Sequence, residues 1–133
     1  MGQRSEGRTW RAEDGGPRRR QIVAGSLGLH AGGALEVTTR TAPAVTMAVH
    51  GDGGELYLLR HTAGDGAVAI VEEIHPVTLE PLRQSPELPG GPVWPGGLGV
   101  HADGSIHVVF GNHAHRLDPE LRVLASRPLP RRR

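Results

Sequence analysis

Two stretches of the chain, MAVHGDGGELYLL (Met47 to Leu59) and LGVHADGSIHVVF (Leu98 to Phe110), align without a gap at an offset of 51. This duplication constrains the fold more than any other feature, because self-similarity at such a period marks stacked supersecondary units. Val49 and Val100, His50 and His101, Asp52 and Asp103, and Gly53 and Gly104 are identical pairs. Downstream, EIHPVTLEPLRQSPELP (Glu73 to Pro89) matches RLDPELRVLASRPLP (Arg116 to Pro130), sharing a turn proline, a strand leucine and a Leu-Pro ending. A weaker third copy, LGLHAGGALEV (Leu27 to Val37), lies too close to the next copy to supply more than a hairpin.

Within each copy, side chains alternate apolar and polar with a period of two. VTMAVH, ELYLLR, AVAIVEEI, LGVHA, SIHVVF and HAHRL are short, rich in β-branched residues, and bounded by GDGG, HTAGDG, ADG, GN and LDPE. Such patterning predicts strands joined by tight turns. No stretch of ten or more residues carries a 3.6-residue period without Gly or Pro breaking it. The expected fold is all-β, built of antiparallel four-stranded blades of the propeller type. The organisation that follows is a tail over 1–20, a hairpin or blade remnant over 21–44, blades over 45–92 and 93–130, and a basic tail over 131–133.

VHADGSIHVV and VHGDGGELYL resemble the V-x-x-D-G-x-Φ-x-V signature of β-propellers of the NHL, SMP-30 and strictosidine-synthase-like group. RLDPELRVL resembles the outer half of such a blade. The resemblance covers about residues 45–130. It implies blade architecture and no single activity, since these blades serve lactonases, lyases and binding proteins. Two blades and a hairpin do not close a ring, which takes four to eight blades. An incomplete propeller, as a fragment of a longer chain, is therefore expected, and its open blade faces would invite self-association.

Composition narrows the function classes. Residues 1–20 hold six arginines and four glycines but little apolar surface, too little to offset the entropy of ordering. The net charge is +1, so no global field draws the chain to nucleic acid or anionic lipid. All 15 basic residues are arginine, clustered at Arg18–Arg20 and Arg131–Arg133. Four scattered aromatics make no base-stacking platform, which argues against nucleic acid as a partner. Absence of cysteine excludes disulfides and thiolate chemistry. No apolar run approaches the ~20 residues of a membrane span, and no apolar signal core opens the sequence, so a cytoplasmic location is expected.

The residues that could carry chemistry are mostly histidines. Gly99 to Glu120 holds four of them, His101, His107, His113 and His115. If Asp103-Gly104 and Gly111-Asn112 are two-residue turns, His101 pairs with Ile106, Phe110 with His113, and Val108 with His115. His101, His113 and His115 then share one face and His107 points away. His101 stands two strands from the others, roughly 9–10 Å by strand spacing. Only His113 and His115 could chelate a metal together, with a third ligand from elsewhere. Packing between blades is the plainer role for that pair.

His30, His50 and His101 recur at one position of the repeat, either as a channel-lining ring or as a polar position beside the turn. His101 and Trp94 are the candidate ligand-binding residues, Trp94 lying in the connection PGGPVWPGG. Asp103, Ser105 and His107 are read as neighbours without triad geometry, because nothing in the sequence orients the serine beside the imidazole.

The expected function is a binding or scaffold module for a protein or small-molecule ligand, without a cofactor. The resemblance implies one alternative, a fragment of a divalent-metal-dependent hydrolase or lactonase. Ca2+ or Zn2+ enters only there, held by Asp, Glu and Asn from several blades. Asp52 and Asp103 are accounted for as turn residues, and Glu72 and Glu73 point to opposite faces of one strand.

Overall fold

The computed structural model describes residues 33, 34, 36–92 and 96–130. The expected tail 1–20, residues 21–32 of the expected hairpin, Trp94 and the basic tail 131–133 lie outside these residues. Among the described residues every regular element is a strand. The first sheet runs β1 (Val45–His50), β2 (Leu56–His61), β3 (Val68–Ile74) and β4 (Pro81–Gln84) in sequence order, with the short β5 (Leu88–Pro89) pairing the other end of β3. The second runs β6 (Gly97–Val100), β7 (Ile106–Phe110), β8 (His113–Leu117) and β9 (Val123–Pro128). All pairings are antiparallel. The all-β class and the two four-stranded meanders agree with the patterning; neither sheet closes on itself.

The turns correct one detail with wide consequences. Gly111-Asn112 is a two-residue turn with its positive φ on the glycine, and Phe110 faces His113 as expected. Asp103-Gly104 is not such a turn. A type I′ turn needs positive φ at both central residues, and only Gly104 (φ 83) has it. The loop is instead Ala102-Asp103-Gly104, closed by His101 N–H to Ser105 O at 2.8 Å and Gly104 N–H to His101 O at 2.9 Å. His101 therefore faces Ser105, not Ile106, and leaves the face of His113 and His115.

The equivalent loop in the first sheet is Asp52-Gly53-Gly54. Gly51 N–H donates to Glu55 O at 3.0 Å, Gly54 N–H to Gly51 O at 3.2 Å, and Gly54 carries φ 92. Gly104 thus matches Gly54, an offset of 50 where the letters align at 51. His50 consequently matches Val100 and not His101, so the histidines do not recur at one structural position. The downstream halves match as the letters do. Leu79 (φ 61) and Leu121 (φ 66) occupy the same left-handed turn site, and a bulge follows Glu73 in one sheet and Arg116 in the other.

That single residue decides how the sheets meet, because a slip of one turns every side chain to the opposite face. Val49, Tyr57, Leu59 and Val71 form the front of the first sheet. Leu98, Ile106, Val108, Phe110 and Leu117 form the back of the second, matching Ala48, Leu56, Leu58, Arg60 and Ile74 on the first. These two faces make one buried core. The sheets therefore stack front to back, like successive copies of one unit. Phe110, fully buried, lies at the seam and stacks on the His61 ring at 5.7 Å.

The outer faces differ in character. Behind the first sheet, Glu72 is 2% exposed and meets Arg40 Nη2 at 2.7 Å and Arg60 Nε at 2.9 Å, the latter misaligned for a hydrogen bond. Arg40 also donates to Leu79 O at 3.4 Å, so its segment lies across this back over a hollow of about 360 Å³. On the front of the second sheet, Gly99, His107, Val109 and Arg116 stand where the first sheet has Val49, Tyr57, Leu59 and Glu73.

Candidate functional site

The loop geometry assembles a polar network on that second front. Asp103 Oδ1 accepts Ser105 N–H at 2.9 Å and Ser105 O–H at 2.6 Å, and Oδ2 accepts Arg116 Nη2–H at 3.1 Å. The two Ser105 bonds, hydroxyl first, hold the Asp103 carboxyl well below the usual carboxylate range. His107 Nε2 lies 3.2 Å from Ser105 Oγ, and the His101 and His107 rings are 5.9 Å apart. The serine is oriented after all, by Asp103. Its one proton goes to the carboxylate, so His107 Nε2–H must donate to Oγ. In a catalytic triad the imidazole takes the serine proton and the carboxylate holds the imidazole; here the order is Asp, Ser, His, and no base activates the hydroxyl.

His113 and His115 are brought together, their rings parallel within 7° at 5.9 Å. His115 is 3% exposed and both its nitrogens are engaged. Nε2–H donates to Pro89 O at 2.8 Å, since a carbonyl can only accept, leaving Nδ1 to accept Ser126 O–H at 2.8 Å. Asn112 Oδ1 accepts from His113 Nδ1 at 2.6 Å. His115 thus ties β8 to β9 and to the end of the first sheet. Among the described residues no three His, Cys, Asp or Glu side chains are grouped to hold a metal ion.

Burial pushes the His115 pKa below its ordinary 6.5, against the raising effect of the Pro89 carbonyl and with a smaller push from His113. The folded state therefore favours the neutral ring, and the full stabilisation is present above 6.5, the unfolded value. As pH falls from there through the folded pKa, the unfolded chain takes up a proton that the native ring refuses, and stability is lost. The urea midpoint of the native chain should fall between about pH 7.5 and about pH 5. His115→Gln should flatten that fall; an unchanged slope would mean another group carries it.

The second constellation is a cleft of about 180 Å³ between the two equivalent loops. Asp52, Gly53 and Glu55 of the first loop and His101, Ala102 and Gly104 of the second line it, with Tyr57 and Val100 behind and Pro119 at the rim. Glu55 folds back over its own turn, one carboxylate oxygen accepting Gly53 N–H at 3.0 Å. His101 Nδ1 is 3.3 Å from Asp103 N and 3.1 Å from Asp103 Oδ1. The neutral ring accepts from the amide; the protonated ring donates to the carboxylate.

No family model, curated protein or solved structure matches the chain. No helix among the described residues is long and apolar enough to cross a membrane.

The structure places the sequence-derived candidates apart. His101 is on the wall of the cleft, His113 and His115 sit at the far end of β8 from the β6–β7 loop, and Trp94 lies outside the described residues. The patterning missed Tyr57 and Glu55 as companions of His101. The duplication held the clue, because stacked copies set equivalent loops side by side.

Proposed function

We propose that the chain is a propeller-type binding and scaffold module, two stacked blades that present their connecting loops to a protein or small-molecule ligand. The front of the second sheet carries this reading. In stacked repeats the terminal unit replaces its apolar contact face with a polar one that water can cover. His107 stands in place of Tyr57, Gly99 removes the side chain that Val49 supplies, and Arg116 keeps a charge where the first sheet has Glu73, so Val109 is the one large apolar residue left among these four positions. The Arg40 segment covers part of the opposite back. With one stacking face polar and the other partly covered, the loop ends are what the module offers to a ligand. The Asp103–Ser105–His107 order supports binding over hydrolysis.

Sedimentation velocity tests the reading. The native chain should remain monomeric across about a hundredfold range of concentration. The double variant Gly99→Val, His107→Tyr, which restores the apolar residues of the buried front, should self-associate. Association of the native chain through this face, or a double variant that stays monomeric, would overturn the proposal.

A further inference from the structure

The backs of the two sheets correspond position for position, but only the second has a sheet lying on it among the described residues. Ile106 and Val108 are fully buried against the front of the first sheet. Their equivalents Leu56 and Leu58 keep part of their surface open, and Ala48, the equivalent of buried Leu98, is exposed. The Arg40 segment crosses this face and leaves a hollow of about 360 Å³ among Ala42, Val45, Leu56, Leu58, Ile74 and Leu79. The seam inside the molecule shows what such a face takes. Glu72 and His115 occupy equivalent positions, each one residue before the bulge at Glu73 and Arg116. His115 Nε2–H donates to Pro89 O, in the chain that leads into the second sheet. Glu72 accepts from Arg40, in the chain that leads into the first. The Arg40 segment therefore stands where the Pro89 segment stands, beside the stacking surface. The second sheet receives that segment and a whole apolar front; the first receives its segment and has the hollow.

We propose that the back of the first sheet is a docking surface for a β-sheet of another polypeptide, one whose front carries apolar side chains in the pattern of Val49, Tyr57, Leu59 and Val71. This rests on the propeller-type reading above and adds a protein partner to it. The contact continues the seam that already joins the two sheets, with the same front-to-back geometry. The native chain does not supply the partner itself, because its free front has Gly99 and His107 where Val49 and Tyr57 stand. Front and back are different surfaces, so the contact is heterologous. Copies able to make it on both sides stack without closing, and a copy that offers only its back ends the stack.

The double variant Gly99→Val, His107→Tyr is the probe, since it presents an apolar front and keeps the native back. Fluorescently labelled double variant should sediment as species larger than a dimer that grow with concentration. About a tenfold excess of unlabelled native chain should reduce them to one labelled chain paired with one native chain, because the native back occupies each labelled front. Leu58→Arg in the native chain sets a charge in the hollow and should weaken this shortening about tenfold or more. Val45→Arg, at a residue 40% exposed, serves if the first substitution lowers the melting temperature. Labelled chains that form dimers only, undiminished by native chain, would be meeting front to front; that overturns the docking surface and leaves the reading of a polar terminal front standing. Shortening as strong with both substituted chains as with the native one also overturns it, by placing the contact elsewhere. A double variant that stays monomeric overturns the docking surface and that reading together.

Discussion

Phe110→Ala is expected to remove about 3–5 kcal/mol of stability, the largest single loss among the substitutions considered. The ring is fully buried between the sheets and stacks on His61 of the first sheet, so its removal opens a cavity at the seam of the core. A domain of this size is held by about 0.05–0.15 kcal/mol per residue, so the loss is a large share of the total. Urea unfolding should show a lower midpoint at unchanged slope. Phe110→Leu keeps most of the volume and should cost less than half as much. A loss below about 1 kcal/mol for the alanine variant would show that the two sheets do not share this core.

Gly111→Ala should be the second most damaging change, for a reason unrelated to hydrophobic burial. Gly111 has φ 55, and a Cβ there would run into the Gly90 carbonyl, a backbone atom that cannot swing aside. The same carbonyl accepts Asn112 N–H at 2.8 Å, one of the bonds by which the chain leaving the first sheet grips the second. The left-handed backbone costs an L-residue roughly 1–2 kcal/mol, and losing the bond adds about 0.5–1.5 kcal/mol. Gly54→Ala is the control: φ is 92, but the space around it is open. Only the backbone cost applies there, so Gly111→Ala should melt well below Gly54→Ala. Hydrogen exchange at the Asn112 amide should accelerate in the first variant alone, and equal melting of the two would remove the contact argument.

Much of the architecture was legible because it rests on local rules. Alternation located strands within one or two residues, since a pleated chain half-buried in a core needs period two. The Gly111-Asn112 turn set Phe110 against His113 and Val108 against His115, and the structure has both pairs. The Asp103-Gly104 turn failed because Asp-Gly suits both a two-residue type I′ turn and the end of a three-residue loop with a glycine bulge. Letters do not separate these, and the difference is one residue of register. That residue moved His101 away from the face of His113 and His115 and placed it beside His107 and Asp103. It also made identical letters, His50 and His101, fall at different structural positions.

The candidate sites followed the same division. His113 and His115 are neighbours by local pairing, but what their nitrogens touch depends on Pro89 and Ser126. Those residues lie 26 and 11 positions from His115 in the chain, and no spacing rule connects them. Tyr57 reads as an ordinary strand aromatic. Its place in the wall of a cleft exists only because the loop 50 residues beyond Gly54 folds beside it.

The sequence by itself determined the all-β class, the strands and their order, and the presence of two equivalent units, because these depend on side-chain period and turn chemistry within a few residues. Tertiary structure alone decided that the units stack front to back, that one outer face is polar, and that two carboxylates, a phenol and an imidazole meet in a cleft. The physical reason is that faces and loops acquire their neighbours from register, and register shifts by a whole face when one backbone dihedral in a turn selects three loop residues over two.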